Sequence, residues 1–149
     1  MVSREEAVVT KTVRLQVVEA VSTALGTAVA LTVHRNLDYA LEDGNLPVLL
    51  VQSGDDVPED DPTQSQVMDQ TLILEITVLA AASADPESAA DAYEATLHAA
   101  LCGATAFGGH AVRVDRLGGS WAFDLGDIAA RTLRYRIGYR TRWADLTSA

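Results

Sequence analysis

The chain has 149 residues, 48% of them apolar but only 5% aromatic, and carries a formal charge of -10 from 21 acidic and 11 basic side chains. A chain of this length buries roughly two-thirds of the surface it exposes when unfolded, so one core of Val, Leu, Ile and Ala needs neither disulfide nor metal. The charge argues against a free nucleic-acid binder, the single cysteine, Cys102, excludes an intrachain disulfide, and no run of about 18 apolar residues suggests a membrane span.

The start, Met1 to Glu6, is polar and acidic and does not read as a secretion signal, which points to a product that stays in the cytoplasm unless it leaves inside a particle. Ser3 and Glu6 have the spacing of a capping box, in which each side chain accepts from the other's amide. Val9, Val13, Val17, Val21, Ala24 and Leu25 recur behind it at helical spacing, and Gly26 suits a helix stop. The pattern predicts a first helix over residues 4 to 25.

Ala28 to His34 is short and β-branched and reads as a strand, followed by a polar loop from Asn36 to Asn45. Leu46-Pro47-Val48-Leu49-Leu50-Val51 is apolar without alternation, as in a strand covered on both faces, with proline near its start where a missing amide is tolerated. From 53 to 66, Gly54, Asp55, Asp56, Pro58, Glu59, Asp60, Asp61 and Pro62 predict a mobile acidic loop.

A third strand is expected over 68 to 80, with Leu72, Leu74, Ile76 and Val78 on one face and Thr71, Ile73, Glu75 and Thr77 on the other. Asp85-Pro86 supplies an N-cap and first helical residue, the stripe Ala89, Tyr93, Leu97, Ala100 and Leu101 follows, and Gly103 stops a second helix over 86 to 102. His110 to Leu117 and Ser120 to Asp124 read as strands around a hairpin or bulge at Gly118-Gly119.

The last strand, 129 to 143, alternates most clearly. Leu133, Tyr135, Ile137, Tyr139 and Trp143 point one way, and Thr132, Arg134, Arg136, Arg140 and Arg142 the other. The order α-β-β-β-α-β-β predicts a single α+β domain over 1–149, a mostly antiparallel sheet of four to five strands with two helices packed on one face.

No catalytic, cofactor or metal constellation emerges. His34, His98 and His110 fall in different elements and match no recognised ligand spacing. Ser120 lacks a nucleophile elbow, Gly103, Gly108 and Gly109 form no phosphate cradle, and the acids of 55 to 61 lack the alternation of a calcium loop. Cys102 reads as a small core residue.

What stands out is charge asymmetry. The row Arg134, Arg136, Arg140 and Arg142 is either a solvated face or the counterpart of Asp55, Asp56, Glu59, Asp60 and Asp61 on a neighbouring identical subunit, a head-to-tail contact of the kind that closes rings.

In this order of elements the chain resembles the tail terminator family of long-tailed phages, also described as tail completion or minor tail protein U-like proteins. The resemblance spans most of the chain: the amphipathic first helix, Leu46 to Val51 with its acidic loop, Thr71 to Val78, the Ala-rich helix opened by Asp85-Pro86-Glu87, and the closing Leu133 to Thr141. It implies a hexameric ring that caps the last ring of tail-tube protein, halts tube growth and presents a surface to the head–tail connector. It also implies a place in the tail or neck of a virion assembled in the host cytoplasm, with DNA only as cargo through the lumen, no membrane, no cofactor and no catalytic residue. The particle could be an infectious phage, a prophage product or a gene transfer agent. Two alternatives stay open, another head–tail joining or neck protein and, from a different class, a small dimeric ligand-binding domain or enzyme with a pocket between sheet and helices.

Overall fold

The computed structural model describes residues 10–42, 46–58, 67–81, 86–103, 110, 113–125, 128–142 and 144–147, with backbone alone for 42, 55–58, 86 and 123–125. In chain order the elements are α1 (Val13–Val29), β1 (Val33–His34), α2 (Leu37–Glu42), β2 (Val48–Pro58), β3 (Val67–Ala81), α3 (Pro86–Cys102), β4 (Arg113–Leu125) and β5 (Ile128–Arg142). They form the expected α+β fold, a five-stranded sheet in the order β1-β2-β3-β5-β4. Only the β1–β2 pair is parallel; the other three are antiparallel.

Strands β3 and β5 form the spine, paired without a break from Val67↔Arg142 to Ala81↔Ile128. Their alternation decides what each face becomes. Leu72, Leu74, Ile76 and Val78 of β3 and Leu133, Tyr135, Ile137 and Tyr139 of β5 are buried on one face beneath Val13, Val17, Val18, Val21 and Leu25 of α1 and Leu97 and Leu101 of α3. Each such Leu contributes about 1.5–3 kcal/mol by leaving water. The polar end of this core is internally satisfied, because Gln70 Nε2 donates to Thr141 Oγ1 at 2.8 Å and the Tyr139 hydroxyl donates to Gln70 Oε1 at 3.4 Å.

Helix α1 departs from the predicted bounds at both ends. Residues 10–12 are not helical, and the N-cap is Thr12, whose Oγ1 accepts from the Leu15 amide at 3.2 Å. The Val13 amide donates to the Leu146 carbonyl at 2.8 Å, a partner from the other end of the chain. Ser3 and Glu6 lie outside the described residues. At the other end the helix runs through Gly26 to Val29 and closes on Ala30 in the left-handed conformation at φ 55°. Gly26 is a contact point: a Cβ there would stand 2.6 Å from Val33 Cγ2.

The first strand is correspondingly short, since Ala28 and Val29 belong to α1 and only Val33 and His34 pair with Leu49 and Leu50. The polar stretch after it holds a helical turn and a half, α2, which lies on the opposite sheet face from α1 and α3. There Ala40 packs with Val48, Leu79 and Ala130. The two-helix expectation therefore holds for one face and omits the third helix on the other. Among the described residues no helix is long and apolar enough to cross a membrane.

Strand β2 continues to Pro58, so residues 53–58 of the expected mobile loop are strand, with a register shift between Ser53 and Asp56 where the ladder bulges. Residues 59–66 of that loop lie outside the described residues. Helix α3 has the predicted bounds, but Asp85 lies outside the described residues, and its buried stripe begins at Ala90 while Ala89 is exposed. The two strands expected around Gly118-Gly119 are one strand, β4, with a bulge between Arg116 and Gly118 and Gly118 at φ 118°, which a side chain rarely adopts. Trp143 lies outside the described residues.

Candidate assembly surface

The sheet face away from α1 and α3 carries the arginine row. Even-numbered positions of β5 point there, and Arg134, Arg136, Arg140 and Arg142 are all exposed. The register sets Asp69 opposite Arg140 and Glu75 opposite Arg134. Arg140 grips Asp69 with Nε to Oδ1 at 2.7 Å and Nη2 to Oδ2 at 3.4 Å, and Arg134 Nε stands 3.3 Å from Glu75 Oε1. On the neighbouring strand Arg113 Nε is 3.2 Å from Asp115 Oδ2.

These pairs are solvent-facing, so each contributes no more than about 1 kcal/mol, yet each spends an arginine within its own chain. Arg136 and Arg142 are different: among the described residues neither forms an ion pair. Six residues apart on a strand, they stand about 20 Å from each other. Sequence reasoning treated the four arginines as one basic row and missed Asp69 and Glu75. The signal was present, because the two acids are six apart like Arg134 and Arg140, but it becomes readable only once β3 and β5 are known to be antiparallel neighbours.

The acidic half of the predicted contact is only partly placed. Asp55 and Asp56 belong to β2, separated from β5 by β3, and Glu59, Asp60 and Asp61 lie outside the described residues. Beside the charged face, α2 exposes Leu37, Tyr39 and Leu41, with Tyr39 66% accessible.

On the helix-covered face a second charged group ties α3 to the sheet. Glu94 accepts from Arg131 Nε at 3.3 Å and Nη2 at 3.2 Å and from Arg116 Nη2 at 3.1 Å, while the Arg131 guanidinium lies 5.0 Å from the Trp121 ring centroid. The hydrogen bond from Arg131 holds the Glu94 carboxyl below its ordinary pKa, more than its partial burial raises it. Gly119 makes room, since a Cβ there would stand 2.9 Å from Arg131 Cζ.

The histidines are local partners. His110 Nε2 shares a 2.9 Å hydrogen bond with Gln16 Oε1, and His98 Nδ1 shares one of 2.9 Å with the hydroxyl of Tyr135. Burial pushes the Tyr135 phenol above its ordinary pKa. Cys102 is exposed, contrary to the core position expected of it, and its Sγ lies 3.6 Å from His98 Nε2. The spacing of four residues sets the two side chains on one helix stripe, but it completes no familiar metal motif and so gives no signal in the sequence. Among the described residues no group of three or more His, Cys, Asp or Glu is gathered around one point.

No known family model matches the sequence, and no curated protein matches it. Among solved structures, the fold is similar to that of a chain in the "Virion of native gene transfer agent (GTA) particle", with a TM-score of 0.55 and 18% identity. The similarity covers 89% of this chain and 95% of that one, so the shared fold is nearly the whole of both.

Proposed function

We propose that this chain is a structural protein of a phage or phage-derived virion, and within it a tail terminator: a ring that caps the tail tube, stops tube polymerisation and offers the head–tail connector its attachment surface. The observation that carries the reading is the similarity of fold to a chain of a gene transfer agent virion, over 89% of this chain and 95% of that one. The order of elements that resembles the terminator family gives the narrower role.

The work needs shape and charge and no reactive group. A closed ring of head-to-tail contacts leaves no free subunit interface, so one ring face can bind the tube while the other rejects another tube ring. In this reading Arg136 and Arg142, which form no ion pair among the described residues, meet the acids of the next subunit, among them Asp55, Asp56, Glu59, Asp60 and Asp61. Charge complementarity then sets register and partner choice more than affinity. DNA passes through the lumen as cargo, and a net charge of -10 keeps the ring from holding it.

The test mixes the purified protein with polymerising tail-tube subunits and measures tube length by electron microscopy. Tubes of bounded length with a capping ring support the role; tubes that grow without limit despite saturating protein defeat it.

A further inference from the structure

His98 and Cys102 stand one turn apart at the C-terminal end of α3, a spacing that stacks two side chains on one helix stripe. Both are exposed, with Sγ 3.6 Å from Nε2. A tetrahedral zinc ion with a sulfur bond of about 2.3 Å and a nitrogen bond of about 2.1 Å holds those two ligand atoms about 3.6 Å apart. The pair already has the separation that a single ion would impose.

The imidazole is also held from behind. Nδ1 shares the 2.9 Å hydrogen bond with the Tyr135 hydroxyl, and the two rings stack with centroids 5.9 Å apart and 29° between their planes. Tyr135 is fully buried in β5, so it is a fixed post that aims Nε2 outward at the thiol. Metal-bound histidines are characteristically oriented by such a partner on the other ring nitrogen.

We infer that His98 and Cys102 form a two-ligand chelating site for a thiophilic divalent ion such as zinc, with solvent in the remaining coordination positions. As the sulfur–metal bond forms, the thiol proton passes to water. The Nε2 lone pair makes the second bond, leaving the ring proton on Nδ1, which donates it in the hydrogen bond to the Tyr135 oxygen. Thiolate with imidazole selects zinc, cobalt, nickel or copper over magnesium and calcium, whose preference is for oxygen.

The experiment titrates the full-length reduced protein with Co2+ and follows the near-ultraviolet sulfur-to-cobalt charge-transfer absorption. The expected result is one ion per chain, displaced by Zn2+. Cys102→Ser and His98→Gln, both surface changes, each lose the band, and Tyr135→Phe keeps it with affinity about 10- to 100-fold weaker. Zinc should raise the melting temperature of the wild type and not of His98→Gln, because a bridge from i to i+4 binds the folded last turn only. A wild type without the band overturns the site, as does a band undiminished in His98→Gln. Should Tyr135→Phe fail to fold, the two surface variants still decide.

Discussion

Arg131 faces Glu94 as a two-pronged clamp, Nε to Oε2 at 3.3 Å and Nη2 to Oε1 at 3.2 Å, joining β5 to α3 across 37 positions of sequence. Both side chains are mostly shielded, with 14% and 19% of their surfaces accessible, which separates this pair from the solvated pairs of the other sheet face. The Trp121 ring beneath the guanidinium adds a flat support to which a cation is attracted.

Glu94→Gln should therefore destabilise the fold by about 1–2 kcal/mol in chemical denaturation, since it leaves Arg131 partly buried with a weaker partner. The pH dependence has a defined sign. The native carboxyl titrates below its unfolded value, so its stabilisation is complete above the ordinary glutamate pKa and is lost as pH falls from there through the lowered native value. The wild-type minus variant difference should shrink across that window; a difference constant with pH would mean the pair is not the cause.

Gly26→Ala tests the contact between α1 and β1. In an open helix the change would stabilise by about 0.5–1 kcal/mol, but here the new methyl would stand 2.6 Å from Val33 Cγ2, and a β-branched side chain has little freedom to retreat. The expected net effect is a loss of about 1–3 kcal/mol. A double-mutant cycle with Val33→Ala should recover part of it; strict additivity would locate the strain elsewhere.

Ala30→Gly should act in the opposite direction. The helix ends on this residue at φ 55°, where a Cβ is unfavourable and glycine is not. A gain of about 0.5–1 kcal/mol is expected, read as a higher denaturation midpoint with an unchanged slope.

Charge reversal at Arg136 and Arg142 should leave the isolated chain within about 0.5 kcal/mol of wild type, because neither arginine is paired within the described structure. If the ring reading holds, the double reversal weakens self-association and tube capping, measured by sedimentation and by tube length. Arg140→Gln, which breaks an intrachain pair with Asp69, should affect assembly less. Equal effects of both variants would remove the distinction between spent and unspent arginines.

Several parts of this architecture were legible in the sequence. Strand β5 shows alternation of period two from Thr132 to Arg142, and α3 declares its bounds through Pro86 and Gly103. The bulge at Gly118-Gly119 was one of two readings of a glycine pair. Elements whose signals conflict look different in the sequence and in the fold: Gly26 looks like a stop, yet its missing Cβ admits Val33, and Asp56 looks like loop, yet β3 offers its backbone a ladder partner in Leu72.

The chain by itself determined which faces the alternating residues of β3 and of β5 from Thr132 onward present, because alternation acts over a few neighbouring residues; on α3 it placed Tyr93, Leu97, Ala100 and Leu101 inward but also Ala89 and Cys102, which are exposed. Tertiary structure alone decided who stands opposite whom: that Asp69 and Glu75 neutralise Arg140 and Arg134, that Leu146 caps α1, and that α2 covers the second face. The reason is that strand order and register are set by burying one whole sheet face, a demand shared among residues far apart in sequence and invisible in any short window.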